Sequence, residues 1–146
     1  GLTVKIPSTC AELSVLLDRV LDGTTEEFSP QEPEDEETGI LCRWRIDTDG
    51  EVFTVGLSAT PTDADTINDI RTGKSQRFHS NIPPSYAVRP VPQIDRLGGV
   101  VMANEDYSSY DDDISMSVVM PRVEFGVVGP TDKAIEVAVK IAESLH

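Results

Sequence analysis

Apolar positions at the start of the chain recur at helical spacing: Leu13, Leu17, Val20 and Leu21 share one side with Cys10, the pattern of a helix with one buried face. Thr9 to Glu12 reads T-x-x-E, in which a hydroxyl and a carboxylate satisfy free amides at a helix start. A helix is therefore predicted from about residue 9, with Gly23 as its left-handed stop. The period then changes. In residues 40–47, Ile40, Cys42, Trp44 and Ile46 alternate with Leu41, Arg43, Arg45 and Asp47, which predicts a strand with one apolar and one largely charged face. A second strand is predicted over 51–60, joined to the first through Thr48-Asp49-Gly50, because Asp-Gly adopts the positive dihedrals of a tight hairpin.

Between these elements, residues 24–38 are polar, interrupted by Pro30 and Pro33 and dense in carboxylates, so a solvated loop is expected. Residues 62–73 predict a short surface helix on Ala64, Ile67 and Ile70. Pro83, Pro84, Pro90 and Pro92 forbid a central strand over most of residues 74–96, leaving a long connection with a short strand near Tyr86 to Arg89. Strands follow over 99–105, 114–120 and 122–128, with a hairpin loop at 107–113 and Pro121 marking an edge or a bulge. After Gly129-Pro130-Thr131, the stripe Ala134, Val137, Ala138, Ile141, Ala142 and Leu145 predicts a closing helix. This order implies an α+β fold, an antiparallel sheet with the N- and C-terminal helices packed on one face. No internal repeat occurs, and 146 residues suit a single domain spanning the whole chain.

Charge narrows the partners. Twelve Lys and Arg face 26 Asp and Glu, a formal charge of −14, which repels phosphate backbones and anionic headgroups. Nucleic acid is not expected as a partner. No apolar run is long enough to span a bilayer, so this segment is not expected to insert directly, and any tether would lie outside it. The N-terminus lacks signal-peptide character, so an export signal, if there was one, is expected to have been removed.

The chain has two cysteines, which are buried thiols, a redox pair, metal ligands or a structural bridge. Their separation excludes the C-x-x-C redox spacing, and a zinc site would need both cysteines and both histidines to converge. A disulfide between Cys10 and Cys42 is the favoured reading, and it implies an oxidising, extracytoplasmic compartment. Trp44 is expected beside the bridge, in one core with Leu13, Leu17, Ile46, Val137 and Ile141.

Motifs for chemistry are weak. Asn68 to Ser75 ends in Gly-Lys-Ser but has Asn68 where a phosphate-binding loop needs glycine, and it reads better as a helix end. His79 lies near Ser75 and Ser80, neither in a nucleophile motif. The acidic runs Glu34 to Glu37 and Asp111 to Asp113 lack a cation-loop pattern, and Asp47 to Glu51 lacks the required Gly and Glu of such a loop. No catalytic residue, metal site or cofactor is assigned, and no catalysis is expected.

Cys10 opening a helix with Leu13 and Leu17, Cys42-x-Trp44 starting a hairpin, the Leu97-Gly98 turn before a strand, and the closing stripe from Ala134 to Leu145 together resemble a family of actinobacterial secreted lipoprotein domains of unknown function. The resemblance implies a cell-envelope α+β domain with a bridge between the two matched cysteines, often tethered upstream. In outline it is also similar to extracellular sensor domains of bacterial receptor kinases. The family's Gly-Leu-Gly-Asp turn is replaced here by Arg96-Leu97-Gly98-Gly99. The expected role is a binding or sensing module for an envelope protein or small ligand, with a structural or assembly partner as the alternative. The acidic loop, through Glu34, Asp35, Glu36 and Glu37, and the proline-rich stretch beside Tyr86 are the expected docking sites.

Overall fold

Alternation in residues 40–58 does what a period of two requires. In a computed structural model, which describes residues 5–27, 39–73, 86–104 and 113–146, β2 (Ile40–Ile46) and β3 (Val52–Ser58) form the hairpin. Gly50 turns it at φ +73°. Ile40, Cys42 and Trp44 of β2 are buried, while Leu41, Arg43 and Arg45 face away. Trp44 sits opposite Phe53 with ring centroids 5.5 Å apart and planes at 20°, a stack contributing about 0.5 to 1.5 kcal/mol beyond its burial.

The chain continues through β4 (Ala87–Val88), β5 (Val100–Asn104), β6 (Asp113–Val119) and β7 (Glu124–Pro130), and β1 (Thr24–Glu26) precedes them all. Among the described residues the result is one seven-stranded sheet of order β1-β2-β3-β7-β6-β5-β4, antiparallel at every pairing. Two meanders meet at the β3–β7 junction, so strands far apart in sequence become neighbours in the middle of the sheet.

Helices α1 (Cys10–Leu17) and α4 (Thr131–Leu145) cover one face. Leu13 and Leu17 of α1, Val137 and Ile141 of α4, and Trp44, Phe53, Val55, Phe125 and Val127 of the sheet share the main core, with Ile46 packed at its margin. Lys133, at the start of α4, donates to the Val20 carbonyl, pairs with Glu136 at 3.3 Å and lies 5.8 Å from the centre of the Phe53 ring. It ties α4 to the segment that follows α1.

Cys10 and Cys42 are bonded, with Cα atoms 5.7 Å apart. Trp44 lies two positions along the same buried face as Cys42.

Several expectations are corrected. The first helix stops at Leu17 and not at Gly23, because Asp18 takes φ 49°, and a 3-10 turn, Asp18–Leu21, follows. Its start holds: Thr9 accepts from the Glu12 amide at 3.1 Å, but the Glu12 carboxylate reaches Ser8 in place of the Thr9 amide. Residues 24–26, expected in a loop, form β1. An edge strand facing solvent needs no apolar alternation, so its polar sequence concealed it.

The short surface helix is α2 (Ala64–Thr72), capped by Asp63 and by Gly73 at φ 75°. Ile67 and Ile70 pack with Val100, Met102 and Val119 in a second cluster, formed by the β5 and β6 residues that alternate with those of the main core. α2 therefore lies on the face opposite α1 and α4. Residues 92–95, expected in an irregular connection, form the one-turn helix α3 (Pro92–Asp95), with Pro92 at the one helical position that needs no amide. Pro121 marks neither edge nor bulge but the tight β6–β7 turn, closed by the Met120 amide on the Val123 carbonyl at 3.0 Å.

Candidate functional site

Where α1 and α4 cover one face, the described residues occupy the opposite face only in part. Among the described elements, α2 sits over β5 and leaves β2, β3 and β7 without a helix.

Register defines what this face presents, since cross-strand partners point to the same side. Leu41 pairs with Gly56, Gly56 with Gly126, Gly126 with Ser117, and Ser117 with Met102. One row across five strands thus runs from an exposed leucine over two glycines and a serine to a methionine of the α2 cluster. Leu41 is 73% exposed. The neighbouring row carries Arg43, Thr54, Val128, Ser115 and Asn104.

The glycine pair is not dictated by the backbone. Neither residue has a positive φ. A Cβ at Gly56 would meet nothing nearer than Leu41 Cδ1 at 3.8 Å, and one at Gly126 nothing nearer than the Met116 carbonyl oxygen at 3.4 Å. Gly129, two positions from the β7 pairing residue Val127, is different: a Cβ there would lie 2.6 Å from Phe53 Cβ. Glycine inside a strand weakens it and often marks a place where another backbone or a ligand approaches closely. At Gly56 and Gly126 the fold has room for a Cβ, so internal packing does not require the smooth floor.

Tyr86 borders the same face. It packs against the α2 cluster, and its hydroxyl is hydrogen-bonded to that of Ser115, which is 5% exposed. On the opposite flank, Arg45 reaches Glu27 at 2.5 Å and Arg43 reaches the same carboxylate at 3.9 Å. Two cations share the Glu27 carboxylate there, and Asp47, held by the Thr25 hydroxyl at 2.7 Å, stands on the same side.

An open groove of about 560 Å³ lined by Lys5, Pro7, Glu12, Val15, Leu16 and Ser144 lies beside α1. Val15 is 79% exposed, and Lys5 pairs with Glu12 at 3.3 Å. Hydrogen bonds from the Ser8 hydroxyl and amide, then from Lys5, hold the Glu12 carboxyl below its ordinary pKa. The Asp63 cap of α2 is lowered likewise by the Thr66 amide. Both are exposed helix-start carboxylates.

Of the expected docking residues, Tyr86 is placed on the partly open face. Glu34, Asp35, Glu36 and Glu37 lie outside the described residues, as do His79, Ser75, Ser80, Asp111 and Asp112. Asn68 and Gly73 fall within and at the end of α2, so the Gly-Lys-Ser tail follows a helix where a phosphate-binding loop would precede one. Asp47 to Glu51 forms the hairpin turn, with the Glu51 amide on the Asp49 carboxylate at 2.9 Å. Among the described residues, no His, Cys, Asp and Glu side chains cluster to hold a metal ion, and no helix is long and apolar enough to cross a membrane. Sequence reasoning missed Leu41, Gly56 and Gly126. The available signal was Leu41 itself, an apolar residue on the charged side of an otherwise clean alternation.

No family model, curated protein or solved structure matches this chain.

Proposed function

We propose that this chain is a non-catalytic binding module of the cell envelope that docks a protein partner on the open face of β2, β3 and β7. The observation that carries the reading is the row Leu41–Gly56–Gly126, an exposed apolar side chain beside a floor of two glycines at which the fold has room for a Cβ. A flat floor suits the surface of another protein better than an enclosed small molecule, which needs a concave and mostly buried site. The docked segment is apolar where it meets Leu41 and acidic where it meets Arg43 and Arg45. The Cys10–Cys42 bridge is consistent with an oxidising compartment, and the proposal places the module there, secreted or anchored by sequence outside this segment. The acidic run Glu34 to Glu37 joins β1 to β2 and is proposed as a second contact, tested separately by neutralising its four carboxylates.

The test is site-specific photocrosslinking in cells that express the full-length protein. A benzophenone side chain at Leu41 should give a discrete crosslinked product, whereas the same group at Glu143, exposed on α4, should not. Gly126→Arg should abolish the product while leaving the unfolding midpoint nearly unchanged. Equal labelling from both positions, or a Leu41 product that survives Gly126→Arg, would remove this face as the site.

A further inference from the structure

We infer that the Cys10–Cys42 bridge is closed to thiol reductants as long as α1 stays seated, so that it acts as a permanent staple and not as a redox switch. The inference rests on the different surroundings of the two sulfurs and is independent of the proposed docking face. Cys42 has no exposed surface and belongs to the main core with Leu13, Leu17, Trp44 and Val55. Cys10 is the first residue of α1 and is only partly buried, its sulfur 3.5 Å from the Leu41 carbonyl oxygen.

Reduction by a dithiol takes two exchanges. In the first, a thiolate attacks one bridge sulfur, a mixed disulfide forms, and the other cysteine leaves with the electron pair of the broken S–S bond. In the second, the remaining thiol of the reductant, as thiolate, attacks its own half of the mixed disulfide. The reductant closes to a cyclic disulfide, the second cysteine leaves, and two electrons have passed from the dithiol to the bridge.

Each sulfur blocks a different route. Attack on Cys42 needs a line of approach from behind its sulfur, which its burial denies. Cys10 is the partly exposed partner, but attack on it expels Cys42 as a thiolate into an apolar interior. Burial of that kind disfavours the thiolate, and a leaving thiol of raised pKa departs slowly. The second exchange has no such obstacle, because it releases Cys10 at the free amides of the first turn of α1, where negative charge is favoured. The first exchange therefore limits reduction, and it proceeds only when α1 lifts and water reaches Cys42. What holds α1 down is Leu13 and Leu17, both fully buried between the sheet and α4.

The test follows reduction of the folded protein by dithiothreitol at pH 8, with acid quenching, alkylation and mass measurement over a series of reductant concentrations. The rate should level off at high dithiothreitol, at the frequency of α1 opening, and should fall at least about 100-fold below that of the urea-unfolded chain at equal reductant. Leu13→Ala, which loosens the seat of α1 without touching either sulfur, should raise the plateau. A native rate that stays proportional to dithiothreitol and within about 10-fold of the unfolded chain would overturn the inference, as would a mixed disulfide on Cys10 accumulating with glutathione in the folded protein. If Leu13→Ala fails to fold, the concentration dependence in the unsubstituted protein decides the matter.

Discussion

Replacing both cysteines, Cys10→Ala with Cys42→Ala, removes a crosslink whose ends are 32 positions apart. In the chain-entropy model, closing a loop of that length withdraws about 12 cal/mol/K from the unfolded chain, equivalent to about 4 kcal/mol at 25 °C. Cys42 is fully buried, and losing its sulfur from a packed core adds about 1 kcal/mol. A combined loss of about 5 kcal/mol is a large part of the 5 to 15 kcal/mol that a domain commands. For a chain of this size it should lower Tm by roughly 10 to 20 °C. Trp44, the only tryptophan, is itself fully buried, so its fluorescence during urea unfolding reports the transition. If the bridge acts on the unfolded state, the variant should also show a larger urea dependence, because its unfolded chain is less compact. A loss below about 1.5 kcal/mol would refute the reasoning, since the loop would then be restricted by something other than the bridge.

Ile141 is fully buried under the sheet, and Ile141→Ala should cost about 3 to 4 kcal/mol in urea unfolding, from lost burial and the cavity left behind. Two glycines of one strand should behave oppositely: Gly129→Ala, whose Cβ would meet Phe53 at 2.6 Å, should destabilise by about 1 to 3 kcal/mol. Gly126→Ala, with ordinary contacts only, should be neutral or stabilising by up to about 1 kcal/mol. Glu12 and Asp63 both have pKa values lowered in the folded state, by hydrogen bonds from Ser8 and from the Thr66 amide respectively. Their contribution is present at neutral pH and is lost as pH falls through the folded pKa values. A pH series of unfolding midpoints should accordingly show a shallower decline below about pH 4.5 in the Glu12→Gln, Asp63→Asn double variant than in the parent.

Local pattern was enough to locate most elements of this chain. The alternation of Ile40, Cys42, Trp44 and Ile46 predicted β2 and put Cys42 on its buried side, because side chains in a strand change face at every residue. The spacing of Leu13 and Leu17, and of Ala134 to Leu145, predicted α1 and α4 for the corresponding helical reason. Those two facts, with Thr9 capping the helix that Cys10 opens, made the bridge and the shared core legible.

Tertiary structure decided the rest. β1 is polar, and only its pairing with β2 makes it a strand. Ile67 and Ile70 show that α2 has a buried side, but which face of the sheet it covers depends on Val100, Met102 and Val119 being free to receive it. The candidate surface was hidden most completely. Leu41, Gly56, Gly126 and Ser117 lie on four strands, and they form one row only because β7 inserts beside β3. Sequence periodicity reports which side of its own element a residue faces, whereas strand order and register are set by long-range pairing, and a site built across strands exists only once that pairing is made.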